Sequence, residues 1–166
     1  PDILVFAKGV SNGSVPLGGV LVHEKIYKAY MNGPEWATEF YHGYTYSGHP
    51  LAMAASSATL DLYAKENLFE RANQISNYFE DSIHKLKDHP YVVDIRNIGL
   101  MGAIELEPRP GKKGTRAYDC FSDCFEKNVL VRNAGDVIAL TPPLITEKKH
   151  IDQIVDTLSS VLKKLN

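Results

Sequence analysis

The sequence contains very little cysteine, the residue that forms the disulfide bonds of small secreted proteins and binds metal ions in structural sites. It contains 2 cysteines in 166 residues, Cys120 and Cys124, which is too few for a disulfide framework in a chain of this length. The two lie one helical turn apart, a spacing that could place two thiolates on one metal ion, but no histidine lies nearby to complete a set of four ligands. We therefore expect both cysteines to be buried as small apolar residues, and we predict no metal site.

Long apolar runs and blocks of like charge are also missing. The chain has 18 basic and 20 acidic residues, a formal net charge of -2, so its charge predicts neither a nucleic-acid nor a membrane partner. No apolar run approaches the length of a membrane span, and the first residues lack the basic and then apolar pattern of a signal peptide, so we expect a cytoplasmic protein. A hydrophobic share of 44% is typical of one ordinary globular domain or two small ones.

The first stretch that suggests chemistry is an apolar segment that ends in a lysine. Residues 1–9 read Pro-Asp-Ile-Leu-Val-Phe-Ala-Lys-Gly, so β-favouring residues deliver Lys8 to a glycine-containing loop. A lysine at the end of a buried strand has its ammonium drawn toward apolar surroundings, which disfavour the charged form and leave a nucleophilic amine. The alternative is that Lys8 ends an exposed strand and that its ammonium lies in water.

A second stretch, over residues 40–52, is rich in aromatic, hydroxyl and glycine residues and reads Phe-Tyr-His-Gly-Tyr-Thr-Tyr-Ser-Gly-His-Pro-Leu-Ala. The segments Pro-Asp-x-x-x-x-Ala-Lys-Gly and His-Gly-Tyr-Thr-Tyr-Ser-Gly-His-Pro together resemble those of the class-III aminotransferases, enzymes that use pyridoxal 5'-phosphate (PLP) to move amino groups. The motif Thr-Tyr-Ser-Gly-His-Pro is most similar to the branch that acts on omega-amino acids or amines with pyruvate. With the ending of the chain, the resemblance covers its full length.

The resemblance implies an α/β fold that is the carboxy-terminal part of a fold-type-I PLP-dependent transferase. We place the tail of the large PLP-binding domain at residues 1–45 and a small α+β domain at residues 46–166. Most of the large domain is then expected upstream, and this chain alone is expected to be inactive. The resemblance also implies a homodimer whose two subunits share the active site.

Three residues receive cofactor roles from the same resemblance. Lys8 would hold PLP as an internal aldimine and, once released, would move protons between carbon atoms as general base and acid. The Thr45 hydroxyl and the Tyr44 backbone N–H would bind the cofactor phosphate of the neighbouring subunit, beside a helix that opens at 48–50. The alternative is that Thr45 is a turn hydroxyl and Tyr44 a packing ring.

A third informative stretch, residues 129–144, reads as two strands that flank a Gly-Asp turn, and we place Arg132 at the end of the first strand. A planar guanidinium offers two parallel donors, the geometry that grips a carboxylate. The resemblance implies that Arg132 binds the substrate carboxylate and swings aside for an uncharged amine side chain. The alternative is a permanent pair between Arg132 and Asp136 or another acid.

Apolar periodicity predicts the remaining elements. Helices are predicted over 24–31, 50–66, 67–86, 116–127 and 146–165, and an antiparallel pair of strands over 91–95 and 100–106. Asn67 is predicted to cap the third helix, with Glu70 reaching back to it, and Thr146 to cap the last.

The function that follows is the transfer of an amino group from an omega-amino acid or amine to a keto acid such as pyruvate. An ornithine-type transaminase, an aminomutase or a decarboxylase of the same family would also keep Lys8, but these branches usually have a different threonine motif. A non-catalytic dimerisation module is a further alternative. The absence of the upstream half favours the module, and the joint presence of Lys8, Thr45 and Arg132 opposes it.

Overall fold

The computed structural model describes residues 1–37 and 43–165. The chain divides into two units, Pro1–Glu66 and Asn67–Asn166. This division differs from the sequence-based boundary at 45 and 46, because the helix over 50–65 contacts the turn that follows the first strand and so belongs to the first unit. The assignment of the two parts to a large and a small domain stays a prediction.

The first unit begins with a hairpin of two short antiparallel strands, β1 at Ile3–Ala7 and β2 at Gly18–Val22. Glycine at position 19 leaves room for the Phe6 ring of the opposite strand, since a Cβ there would lie 2.3 Å from that ring. Apolar side chains of both strands are exposed, with Val5 74% accessible. A two-stranded sheet has little stability on its own and needs to pack against another element. The exposed apolar side chains of this hairpin are the surface on which such an element would pack.

Two helices complete the first unit, α1 at Glu24–Tyr30 and α2 at Pro50–Lys65, and both were predicted from the sequence. Pro50 occupies the first helical position, where its fixed φ suits the helix and its missing N–H costs nothing. The loop predicted before α2 contains a short 3₁₀ turn at Glu35–Ala37. Its residues 38–42, which include the beginning of the second motif, lie outside the described residues.

The second unit is a four-stranded antiparallel sheet that packs with three helices. The strands have the spatial order β3-β4-β6-β5. The bounds are Val92–Ile98 for β3, Met101–Leu106 for β4, Arg132–Ala134 for β5, Val137–Leu140 for β6, Leu68–His84 for α3, Thr115–Glu126 for α4 and Lys148–Leu162 for α5. The predicted antiparallel pair is therefore confirmed as β3 and β4, and the strands around the Gly-Asp turn extend its sheet.

The core of the second unit lies on one face of this sheet. Burial alternates along β4 and β6, which places one face of the sheet against the helices. Gly102 lets α3 approach β4 closely, since a Cβ at this position would lie 3.0 Å from side-chain atoms of Phe79 and Ile83. Both of those side chains are fully buried, and Cys120 and Cys124 of α4 lie in the same cluster.

Of two predicted helix caps, one lies at the predicted residue but lacks the capping bond, and the other lies at a different residue. Asn67 precedes α3 with a left-handed backbone, φ 52°, and makes no side-chain capping bond, because a capping side chain normally comes from an extended residue. At α5 the cap is Glu147, whose side chain and that of His150 satisfy each other's backbone N–H groups, while Thr146 is buried just before the helix. Within the described ranges, no helix combines the length and apolar character that crossing a bilayer requires.

Candidate active site

Lys8 lies at the first position of a tight turn that follows β1. Its backbone is left-handed, with φ 57°, and residues Lys8–Val10 form one turn of 3₁₀ helix. The Lys8 carbonyl accepts hydrogen bonds from the N–H groups of Ser11 at 3.2 Å and Gly13 at 3.3 Å. The peptide group next to Lys8 is therefore held by the turn itself.

The Lys8 side chain is exposed, and within the part of the chain that the structure describes it takes part in no ion pair. The described residues do not supply the apolar surroundings expected from a buried strand, because β1 is itself exposed among them. What the described residues provide is a primary amine, not neutralised by a carboxylate, at a defined backbone position.

Thr45 lies in a turn directly before α2. The Ser47 N–H donates to the Tyr44 carbonyl at 3.0 Å, and Gly48 follows with a left-handed backbone, φ 66°, that leads the chain into the helix. A helix opening at 48–50 was predicted, and α2 begins at Pro50. Thr45 thus lies five positions before Pro50, the first residue of a 16-residue helix.

A groove of about 610 Å³ lies beside this terminus and is lined by Thr45, Ser47, the first residues of α2 and the 15–18 segment. Leu51 and Ala52, which line it, carry N–H groups that have no carbonyl partner inside a helix, because they belong to the first turn. Together with the exposed Thr45 hydroxyl, these donors and the helix dipole suit a phosphate. Lys8 is not one of the described residues that line the groove.

Arg132 lies in the second unit and begins β5, whereas the sequence placed it at the end of the strand. It is exposed and lines a groove of about 710 Å³ together with Thr141 and His150. Among the described residues it makes no ion pair. The guanidinium is therefore available to a carboxylate from outside the unit.

The alternative in which Arg132 pairs with Asp136 is wrong. The carboxylate of Asp136 accepts a hydrogen bond from the Gly114 N–H at 2.6 Å, which ties the β5–β6 turn to the residue before α4. Asp136 is therefore occupied by a backbone donor, and the nearest acid in sequence does not neutralise Arg132.

Sequence reasoning overlooked His150, which lines the same groove as Arg132. Its Nδ1 accepts a hydrogen bond from the Glu147 N–H at 3.1 Å, as part of the α5 cap. In the neutral ring the proton then belongs on Nε2. The sequence contained a signal for this role. An acid, Glu147, is followed three residues later by a side chain that can accept a hydrogen bond, which is the spacing of a capping box.

Cys120 and Cys124 are both fully buried, as expected. A hydrogen bond with Cys124, and then burial, raise the pKa of the Cys120 thiol well above its ordinary value. This environment favours the protonated thiol at Cys120. In the described ranges, no three His, Cys, Asp or Glu side chains cluster in a way that could hold a metal ion.

The whole chain is similar to proteins of one known family. Residues 1–162 match the family described as aminotransferase class-III. The omega-aminotransferase of Caulobacter vibrioides is 49% identical over 100% of this chain and 38% of its own length. The omega-amino acid–pyruvate aminotransferase of Pseudomonas putida is 40% identical over 99% of this chain and 37% of its own length.

Solved structures agree with these matches. The crystal structure of adenosylmethionine-8-amino-7-oxononanoate aminotransferase from Methanocaldococcus jannaschii superposes with a TM-score of 0.91 at 34% identity, over 100% of this chain and 39% of that one. The chain therefore spans well under half the length of the proteins that it matches.

Proposed function

The chain belongs to the class-III aminotransferase family, whose members are PLP-dependent enzymes, and from this premise we propose that the protein carrying it transfers an amino group from an omega-amino acid or amine to a keto acid such as pyruvate. Its fold is an α/β part of a fold-type-I PLP-dependent transferase. The observation that carries the proposal is the 49% identity with an omega-aminotransferase over the whole of this chain. The 40% identity with an omega-amino acid–pyruvate aminotransferase supports pyruvate as the acceptor.

The residues present fit PLP. The cofactor has an aldehyde, which a primary amine can bind covalently, and a phosphate, which neutral donors at a helix terminus can bind. Lys8 offers the amine without a competing carboxylate among the described residues, and the groove at the start of α2 offers the donors. When bound, PLP supplies an electron sink that stabilises a carbanion.

Lys8 is the catalytic residue of this proposal. Its Nζ is the amine that would hold the cofactor through the aldehyde and would give way to the amine of the donor. The freed Nζ would then take the proton from the substrate carbon that carries the amino group and later return a proton, so that one nitrogen would act as general base and general acid. The keto acid reverses these proton transfers at Nζ.

Thr45 and Tyr44 hold the phosphate in the active site of the neighbouring subunit. The Thr45 hydroxyl is exposed at the groove, where it can donate to a phosphate oxygen, and the Tyr44 N–H adds a backbone donor. This assignment requires a homodimer with shared active sites.

Arg132 binds the carboxylate of the keto acid or amino acid. A planar guanidinium accepts a carboxylate through two parallel hydrogen bonds. An exposed, unneutralised arginine on a short strand can also move its side chain away when an amine without a carboxylate enters. One site then serves both kinds of substrate.

Replacement of the lysine tests the proposal. In the protein that carries this chain, Lys8→Ala should lower transamination by at least about 100-fold, because a general acid and base contributes about this much or more. The variant should also lose the absorbance of the cofactor bound to lysine. The matched control is Lys28→Ala, since Lys28 is exposed on α1 and pairs only with Glu24 in the described residues. Normal amino transfer by the Lys8→Ala protein would refute the proposal.

The alternatives within the family are separated by a screen of donors and acceptors. Amine or omega-amino acid donors should bleach the yellow protein, and pyruvate should restore the colour. Release of CO₂ would indicate a decarboxylase, and an isomeric amino compound formed without an acceptor would indicate an aminomutase. A colourless protein that still dimerises would favour the non-catalytic module.

A further inference from the structure

The turn that carries Lys8 is held in a conformation that its own residues disfavour. A lysine in the left-handed region, here φ 57°, places its Cβ close to a carbonyl oxygen, and such a backbone persists only where the surroundings impose it. The direction of the Cα–Cβ bond, and with it the region that the amine can reach, depends on keeping this φ. Whatever holds the turn therefore controls where the Lys8 amine lies.

Tyr63 contacts this turn from the far end of α2. Its hydroxyl donates a hydrogen bond to the Gly9 carbonyl at 2.7 Å, across 54 positions of sequence, and the tyrosine ring is partly buried. The same Gly9 carbonyl accepts the Asn12 N–H at 3.3 Å. The bond thus joins a carbonyl inside the turn to a helix of 16 residues, which is far stiffer than the loop.

We propose that Tyr63 is a positioning residue for Lys8: its hydroxyl, acting through the Gly9 carbonyl, ties the lysine turn to α2 and holds the amine where the reaction needs it. The inference rests on the proposed function, in which Lys8 is the catalytic amine. Tyr63 itself touches neither substrate nor cofactor in this assignment. Loss of the Tyr63 hydroxyl should therefore change how fast the Lys8 amine attaches to PLP and how rigid the Lys8 turn is.

Removal of the hydroxyl alone, in Tyr63→Phe, tests the proposal. The cofactor is stripped from the protein that carries this chain, and two quantities are measured without any substrate: the rate at which Lys8 binds added PLP, followed by absorbance, and the hydrogen exchange of the Asn12 and Gly13 amides. Both amides donate to carbonyls of the turn. Loss of one hydrogen bond should slow PLP attachment about fivefold and speed exchange at these amides by a similar factor.

The matched control is Tyr118→Phe, which removes a hydroxyl from an exposed tyrosine of α4 in the other unit. This variant should match the original protein in both measurements. Thermal unfolding of the two variants is compared as well, because a merely structural tyrosine would lower the melting temperature and raise exchange throughout the unit. Faster exchange confined to the Lys8 turn, with slower attachment, supports the proposal.

The outcomes separate this inference from the proposed function. If Lys8→Ala abolishes PLP attachment and Tyr63→Phe changes neither measurement, the positioning role is wrong and the proposed function stands. A general loss of stability in Tyr63→Phe, without local change at the turn, also overturns the positioning role. If PLP attaches as fast to the Lys8→Ala protein, the proposed function fails and this inference fails with it.

Discussion

At the residue scale, Arg132 carries a charge that the described residues leave without an ion pair. Two other arginines of the second unit do make ion pairs: Arg96 binds Asp94 at 2.6 Å and Glu105 at 2.9 Å, and Arg109 binds Asp119 at 2.5 Å. An exposed arginine with no carboxylate partner, beside a groove, is free to bind a substrate carboxylate. The contribution of Arg132 to substrate binding should therefore depend on whether the substrate carries a carboxylate.

The Arg132→Ala protein should discriminate between substrates. KM for keto-acid acceptors should rise about 10- to 100-fold, because a hydrogen bond to a charged group contributes about 1.5–3 kcal/mol. Amine donors that lack a carboxylate should be affected about twofold at most, since they make no use of the guanidinium. Steady-state kinetics with both substrate classes make the comparison, and Arg96→Ala provides the control for loss of a surface arginine.

An equal loss for all substrates in Arg132→Ala would contradict the carboxylate role and would instead point to a structural effect on the β5 strand. No loss at all would remove Arg132 from the site.

At the element scale, the β5–β6 turn that follows Arg132 is fastened from two sides. The Asp136 carboxylate accepts the Gly114 N–H at 2.6 Å, and the Asp136 carbonyl accepts the Leu106 N–H at 2.9 Å. Gly114 lies close to the turn, since a Cβ at this position would be 3.4 Å from the Gly135 carbonyl oxygen. These contacts connect β4, the residue before α4 and the strand that carries Arg132.

Replacement of Asp136 should therefore cost stability. Asp136→Ala leaves the partly buried Gly114 N–H without its partner, and the free energy of unfolding should fall by about 1–3 kcal/mol. Asp136→Asn keeps an oxygen acceptor and should lose less. Urea unfolding of the two variants measures the difference, and equal stability of Asp136→Ala and the original protein would show that the bond contributes nothing.

Helix ends show why caps are harder to predict than helix bodies. The apolar stripes of α3 and α5 were read correctly, because periodicity reflects the face that a helix buries. Asn67 is the N-cap residue of α3 as predicted but makes no capping bond, and α5 is capped by Glu147 and not by Thr146. Capping depends on the φ and ψ of one residue, which the incoming chain decides.

At the scale of the whole molecule, the second unit is held together by contacts between distant helices. His89, which follows α3, lies 3.0 Å through Nε2 from the Ser159 hydroxyl of α5. Burial, and then the charge of Lys163, lower the pKa of His89 below its ordinary value of 6.5, although Asp88 acts in the opposite direction. The folded protein therefore favours the neutral ring.

This shift predicts a loss of stability in mild acid. Below about pH 6.5 the unfolded chain takes up a proton at His89 that the folded chain resists, so the free energy of unfolding falls as the pH drops through the folded pKa. The stability that His89 contributes is fully present only above pH 6.5. Denaturant unfolding of His89→Gln should show a smaller change between pH 8 and pH 5.5 than the original protein, and an unchanged pH profile would exclude this role.

Much of the architecture was predictable because it follows from local patterns. The strand before Lys8, the helices α1, α2 and α4 and the β3–β4 pair were anticipated from apolar spacing and from glycine and proline, which act within a few residues. The burial of Cys120 and Cys124 followed from residue type and helical phase. The division between units at residue 66 was not anticipated, because it depends on which neighbour α2 packs against.

The sequence by itself determined the chemistry that this protein can offer: a lysine after a β-strand, a threonine before a helix and an arginine on a short strand, each in a motif that can be read locally. Only the tertiary structure decided how these groups are held. It joined Tyr63 to the Lys8 turn, directed Asp136 to Gly114 and away from Arg132, and placed His89 against Ser159. The physical reason is that periodicity reports the face that an element buries, whereas a hydrogen bond between elements depends on the packing that brings distant residues together.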